Sequence, residues 1–246
     1  QDEGVTLHLN AKIAGVGRSM RGVLMTLEDG TEIAGSHVLF ATGRAPNTDK
    51  LNLAAVGLET DSRGYVPTDA KLRTKVPNLW ALGDVNRRGA FTHTSYHDHE
   101  IVLADLDKIK DRYQWKDADQ RPTTYAMFTD PPLGRVGLSR TEARKLAAEG
   151  RNILIADMKM ADISRAKEES ETTGLIRIIV DGDSEAILGA TVFGIAGDEI
   201  IAIFSNFMAT GASYKIMQQA LPVHPTVAEL IPTILAGLKP LAAANA

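Results

Sequence analysis

The sequence predicts an α/β first half joined to an α+β second half. Three observations carry that reading. A short apolar run without alternation, residues 37–41 within "HVLFATG", suits a strand covered on both faces, as in a parallel sheet. At "KDRYQWKDADQRPTTYAMF" the composition turns polar and proline-containing, as it does between domains. Beyond that point strands come first and helices last, with hairpin connectivity, the signature of an α+β unit.

Residues 5–42 read as strands and tight turns. "GVTLHLN" alternates, and "GVLMTLEDG" is a strand running into an Asp-Gly turn. A loop-rich stretch, "GRAPNTDKLNLAAVGLETDSRGYVPTD", leads to a second buried strand, "NLWALGD". From about residue 92 to 108 the pattern is helical. In the second half a strand near 124–128 and a Pro-Pro turn precede a helix over about 140–149. Ser139 and Glu142 have capping-box spacing and mark its start. Next come "NILIADMKM", a two-strand hairpin in "GLIRIIVDGDSEAILGATVFG", and helices over 197–210, 213–220 and 226–238.

With 246 residues the chain is long for one domain and comfortable for two. The net charge of −4 gives no basic footprint for nucleic acid. No segment approaches the roughly 18 apolar residues that a membrane-spanning helix needs. The sequence holds no cysteine, which excludes a disulfide framework, a thiolate metal site or a cysteine nucleophile carried by this chain. It opens on Gln1 with no signal-like apolar stretch behind it. A piece of a longer protein, made by design or by proteolysis, is the expectation.

"FATGRAPNT" places Thr42, Gly43 and Arg44 directly after the expected buried strand. Ligands of open α/β sheets lie at such strand ends, where a glycine lets the backbone approach a phosphate or a ring. "NLWALGDV" repeats the pattern with Gly83 and Asp84, a carboxylate able to accept hydrogen bonds from sugar or polyol hydroxyls. Taken singly, each is also a strand ending in an ordinary turn. His93, His97 and His99 raise a metal reading, since 93 and 97 share a helical face. His99 points elsewhere and no carboxylate pair completes a known spacing, so no metal site is expected. In "LPVHPTVAELIPTIL", His224 stands between two prolines and five residues before Glu229. Without context this is a rigid turn opening a last helix.

Together, "ATGRAPNT" and, about forty residues on, "NLWALGDV" resemble the FAD-dependent pyridine nucleotide–disulfide oxidoreductases. That class I family includes glutathione reductase, dihydrolipoamide dehydrogenase and mercuric reductase. "FTHTSYHDHEIVLADL", "MFTDPPLGRVGLSRTEARKLA" and the block from "GDEIIAIF" to "HPTVAELIPTI" extend the resemblance from about residue 37 to 238. It implies residual parts of NAD(P)- and FAD-binding Rossmann-like domains, residues 1–40 and 41–118. An α+β dimerisation domain with an antiparallel sheet, residues 119–246, then follows.

The resemblance also implies roles. Asp84 holds the flavin's ribityl chain. Thr92 opens a helix whose N-terminus faces the flavin pyrimidine ring, where free N–H groups favour negative charge; His93 stands where the family's usual residue is proline. His224 is a general base and acid toward a thiol of the partner subunit, and Glu229 holds its imidazole. An imidazole near pKa ~6.5 suits that work.

The intact parent is then a cytoplasmic homodimer, paired through residues from about 122 onward and acting on a small molecule. It moves electrons from NAD(P)H through FAD to a disulfide or related acceptor, a sulfur group or a metal ion. A disulfide-less NAD(P)H:acceptor flavoprotein of quinone reductase or transhydrogenase type is the alternative, and a non-catalytic dimerisation module a third. No G-x-G-x-x-G opens a helix and no Cys-x4-Cys pair is present. The chain is therefore expected to bind FAD poorly or not at all and to be inactive by itself. "RGAFTHTSYHD" resembles the mercuric reductase branch, but the end "LKPLAAANA" lacks the cysteine pair that receives mercury there, so mercury reduction is not expected.

Overall fold

The computed structural model describes residues 4–20, 22–106 and 117–242. They form two compact units, residues 1–45 and 46–246. The tail of the expected helix, beyond residue 106, and the start of the polar stretch, residues 110–116, lie outside the described residues.

The first unit is an antiparallel meander of β1 (Ile13–Ser19), β2 (Gly22–Leu27) and β3 (Glu32–Gly35). The Asp-Gly turn closes β2 against β3 as the sequence suggests, with Gly30 at φ 86. Two expectations fail here. "GVTLHLN" is not a strand, and Val5, Leu7 and Leu9 are exposed. Residues 37–43 are irregular rather than a buried strand, with Leu39 88% and Phe40 64% exposed. A strand covered on both faces needs neighbours on its edges and faces, and no described strand pairs with either segment.

The second unit opens with loops folded around Leu58, Val66 and Ala81. Asp61 and Asp69 shape two turns, each accepting two backbone N–H groups through one carboxylate oxygen. The expected strand "NLWALGD" is also absent. Trp80 makes a single bridge to Arg73, and its indole N–H donates to Asp105 at 3.1 Å. Gly83–Asn86 then turns as a short 3₁₀ segment, which ends any extended run. Arg73 also pairs with Asp105, near the end of α1 (Thr92–Asp105), so side-chain bonds replace a sheet ladder.

A six-stranded antiparallel sheet follows, in the order β4-β5-β8-β7-β6-β9. Its strands are β4 (Thr124–Met127), β5 (Leu133–Gly137), β6 (Ile153–Lys159), β7 (Leu175–Asp181), β8 (Ile187–Phe193) and the two-residue β9 (Lys239–Pro240). Period-two alternation sorts the side chains of β7: Ile176, Ile178 and Val180 enter one core, and Ile179 enters the other. The larger core is shared with α4 (Gly197–Thr210), whose Ile200, Ile201 and Phe204 face the sheet. Phe204 is fully buried, worth about 1.5–3 kcal/mol relative to exposure.

On the opposite face Ala143 of α2 (Arg140–Ala148) packs on Ile153, Ile155 and Ile179. The expected capping box is present, with Ser139 N–H donating to Glu142 at 2.7 Å and Glu142 N–H to Ser139 Oγ at 3.2 Å. A short α3 (Ser164–Glu168) was not legible beforehand, and α5 (Tyr214–Gln218) is shorter than expected. The last helix divides into a 3₁₀ turn, Val227–Leu230, and α6 (Ile231–Ala236). Pro232 explains the break: without an N–H and with φ fixed, it fits only the first turn of a helix.

Candidate functional site

Four of the nine candidate residues meet around the start of α1. Gly83 has φ +75, and a Cβ there would lie 3.0 Å from Ser95 Oγ, so glycine lets the turn lie against the helix. Asp84 follows on the exposed side of the turn. Thr92 is the first residue of α1, and the N-cap residue, Phe91, offers its first N–H groups no side-chain acceptor. Such a terminus carries partial positive charge.

His93 turns toward the sheet. Its Nε2–H donates to the Thr124 carbonyl at 2.7 Å, and its ring stacks on Phe91, with centroids 5.2 Å apart. Phe91 stacks in turn on Tyr125 at 5.9 Å. The histidine that stands in place of the family's proline thus ties the helix start to β4. His97 faces Arg121 Nη1 at 3.3 Å through Nδ1; since a guanidinium only donates, the ring proton sits on Nε2. Burial, and then the Arg121 charge, hold its pKa below the ordinary imidazole value. His99 Nδ1 bonds the Tyr96 carbonyl. The three histidines point to three different partners, and no metal-ligand group occurs among the described residues.

The sequence did not single out the group beneath this turn. Asp98 is fully buried, and its Oδ2 accepts Gly83 N–H and Asn86 Nδ2, each at 2.8 Å. Arg121 Nη1 donates to Oδ1 at 2.7 Å. One signal was available: Thr94, Asp98 and Ile101 share a helical face, and all three are buried.

Near the C-terminus, His224 Nδ1 lies 2.8 Å from Glu229 Oε2. An ionised carboxylate only accepts, so Nδ1 donates and Nε2 keeps its lone pair in the neutral ring. The His224 side chain is 78% exposed and that of Glu229 10%. The same Oε2 accepts Thr226 N–H at 3.3 Å in a capping box, which anchors the carboxylate to the turn. Thr42, Gly43 and Arg44 belong to the first unit, in an exposed irregular segment where Gly43 has φ +95.

Comparison with known proteins gives this geometry a context. Residues 1–98 match the family model "Pyridine nucleotide-disulphide oxidoreductase", and residues 123–234 match that family's dimerisation domain. The chain belongs to the pyridine nucleotide–disulphide oxidoreductase family. A probable pyridine nucleotide-disulfide oxidoreductase, RclA of Escherichia coli K12, is 31% identical over 93% of this chain and 50% of its own length. Dihydrolipoyl dehydrogenase of Bacillus subtilis 168 is 30% identical over 92% of this chain and 47% of its own. A solved structure of RclA, described as an HOCl-induced flavoprotein disulfide reductase, superposes with a TM-score of 0.83 at 30% identity, covering 96% of this chain and 52% of that one. The chain spans about half the length of the curated relatives it matches. No helix among the described residues is long and apolar enough to cross a membrane.

Proposed function

We propose that the chain is the C-terminal part of a homodimeric flavoprotein oxidoreductase that moves electrons from NAD(P)H through FAD to a disulfide or related acceptor. In this reading residues 1–40 end the NAD(P)-binding domain, residues 41–118 complete the FAD-binding domain and residues 119–246 form the dimerisation domain. Dimer contacts start at about residue 122. The enzyme works in the cytoplasm on a small-molecule substrate.

The observation that carries the reading is the Gly83–Asp84 turn seated against an N-terminus without a side-chain cap, in a chain both family models match. These residues fit a flavin. Gly83 lets the turn lie against the helix start, Asp84 presents an exposed carboxylate for ribityl hydroxyls, and the first N–H groups of α1 favour the negative edge of the ring. Thr92 starts that helix, and His93 contributes by fixing it to Thr124. Within the first unit, Thr42, Gly43 and Arg44 offer a glycine-bearing segment of the kind whose backbone can approach a cofactor. When bound, FAD supplies two-electron transfer between a nicotinamide and a sulfur acceptor.

His224 contributes proton movement. Its Nε2, exposed and unprotonated in the neutral ring, takes a proton from a thiol of the partner subunit and later returns one. Glu229 fixes the ring by holding Nδ1–H.

The test uses the longer gene product. It should purify with flavin absorbance that NAD(P)H diminishes, and Asp84→Ala should weaken FAD retention by about tenfold or more. A product that takes up no FAD even on reconstitution overturns the reading.

A further inference from the structure

Asp98 is a fully buried carboxylate in α1 to which the proposed chemistry gives no task. We infer that Asp98 and Arg121 are a positioning pair that sets the place of the Gly83–Asp84 turn from the dimerisation side of the chain. The inference rests on the reading above only in taking that turn as a flavin contact.

The turn lacks a cap of its own. Its N-cap residue is Leu82, which supplies no side-chain acceptor, so the leading N–H of Gly83 has no local partner. Asp98, fifteen residues later, supplies one. The same oxygen takes Asn86 Nδ2–H, and Asn86 also donates to the Ala81 carbonyl at 3.0 Å. One carboxylate oxygen therefore grips both ends of the four-residue segment that carries Asp84.

A buried carboxylate alone is costly, and it persists here because a cation meets its other oxygen. That cation is Arg121, with a side chain only 13% exposed, in the segment just ahead of β4. Its guanidinium also donates to the carbonyls of Thr94 at 3.2 Å and Arg88 at 3.3 Å. Arg121 thus spans the start of α1, the strand-leading segment and the loop after the turn. Without Arg121, the Asp98 carboxylate must take a proton or admit water. Either change weakens its hold on Gly83 N–H.

Amide hydrogen exchange in the 246-residue chain tests this with no flavin present. In Arg121→Gln, Gly83 should exchange about tenfold faster or more, as expected for weakening a charge-assisted bond, while the amides of β7 and β8 keep their rates. Arg121→Lys should recover part of the protection. Asp98→Asn, which keeps an acceptor but loses the charge, should show the same selective loss if Arg121→Gln does not fold. Ile178→Val, a core change far from the turn, should speed β7 and β8 without singling out Gly83. A Gly83 rate that is unchanged, or rises only in step with β7 and β8, overturns the positioning role. FAD retention by the longer gene product separates the two claims. Selective exchange at Gly83 with unaltered FAD retention upholds the clamp and removes the flavin contact from Asp84.

Discussion

Replacing Glu229 by alanine removes, in one step, the acceptor for His224 Nδ1–H and for Thr226 N–H. A hydrogen bond to a charged group contributes about 1.5–3 kcal/mol net. Here the carboxylate is sheltered but the imidazole is 78% exposed, so water competes strongly on its side. Screening reduces the figure to about 1 kcal/mol, which corresponds to roughly fivefold in the ratio of Nδ1–H to Nε2–H tautomers. Long-range ¹H–¹⁵N correlation spectra of histidine-labelled chain, recorded about two units above the ordinary imidazole pKa, read that ratio directly. His224→Gln assigns the signal among the six histidines. The ratio of Nδ1–H to Nε2–H should be about fivefold higher in the wild type than in Glu229→Ala. The same ratio in both proteins would refute the claim that Glu229 orients the ring.

Gly134 of β5 is where the sheet meets α4: a Cβ there would lie 2.2 Å from the Gly197 carbonyl and 2.7 Å from Ile201 Cβ. Since neither neighbour is a flexible chain end, Gly134→Ala should cost about 3 kcal/mol in urea unfolding, and a loss under about 1 kcal/mol contradicts the packing. His97 is held below the ordinary imidazole value in the folded chain, so unfolding lets it take up a proton. The contribution of His97 to the stability of the second unit should therefore be lost as pH drops from about 6.5 to its folded-state pKa, a limb seen in the difference between wild type and His97→Gln; a flat difference, or one of opposite sign, contradicts it. Sedimentation of the chain at micromolar concentration should give a dimer, with a strictly monomeric mass as the contrary result.

The second half was legible because its signals are local. The hairpin of β7 and β8 announces itself through β-branched runs on either side of Asp181–Ser184, and α2 through the Ser139–Glu142 spacing. "HVLFATG" and "NLWALGD" misled because an apolar run without alternation records a need for cover, not what supplies it. Trp80 instead meets Asp105, twenty-five residues on. The residues proposed to face the cofactor are marked by resemblance rather than by periodicity. Asp98 was missed because its partners stand 12 to 23 residues away in sequence, at Gly83, Asn86 and Arg121, and no repeat encodes such a meeting. His93 stands out in the sequence as a departure from the family's proline and as a metal candidate beside His97, but its bond to Thr124 crosses thirty-one residues and is not legible there.

The central claim is that His224, held by Glu229, moves the proton in sulfur chemistry carried out by a flavoprotein. Its most direct test is NAD(P)H oxidation by the longer gene product, comparing wild type with His224→Gln on a disulfide and on a quinone acceptor. Disulfide-dependent turnover should fall about 10²-fold or more, with FAD content and quinone reduction retained. Undiminished disulfide reduction in His224→Gln, or a wild type that reduces only the quinone, would contradict it.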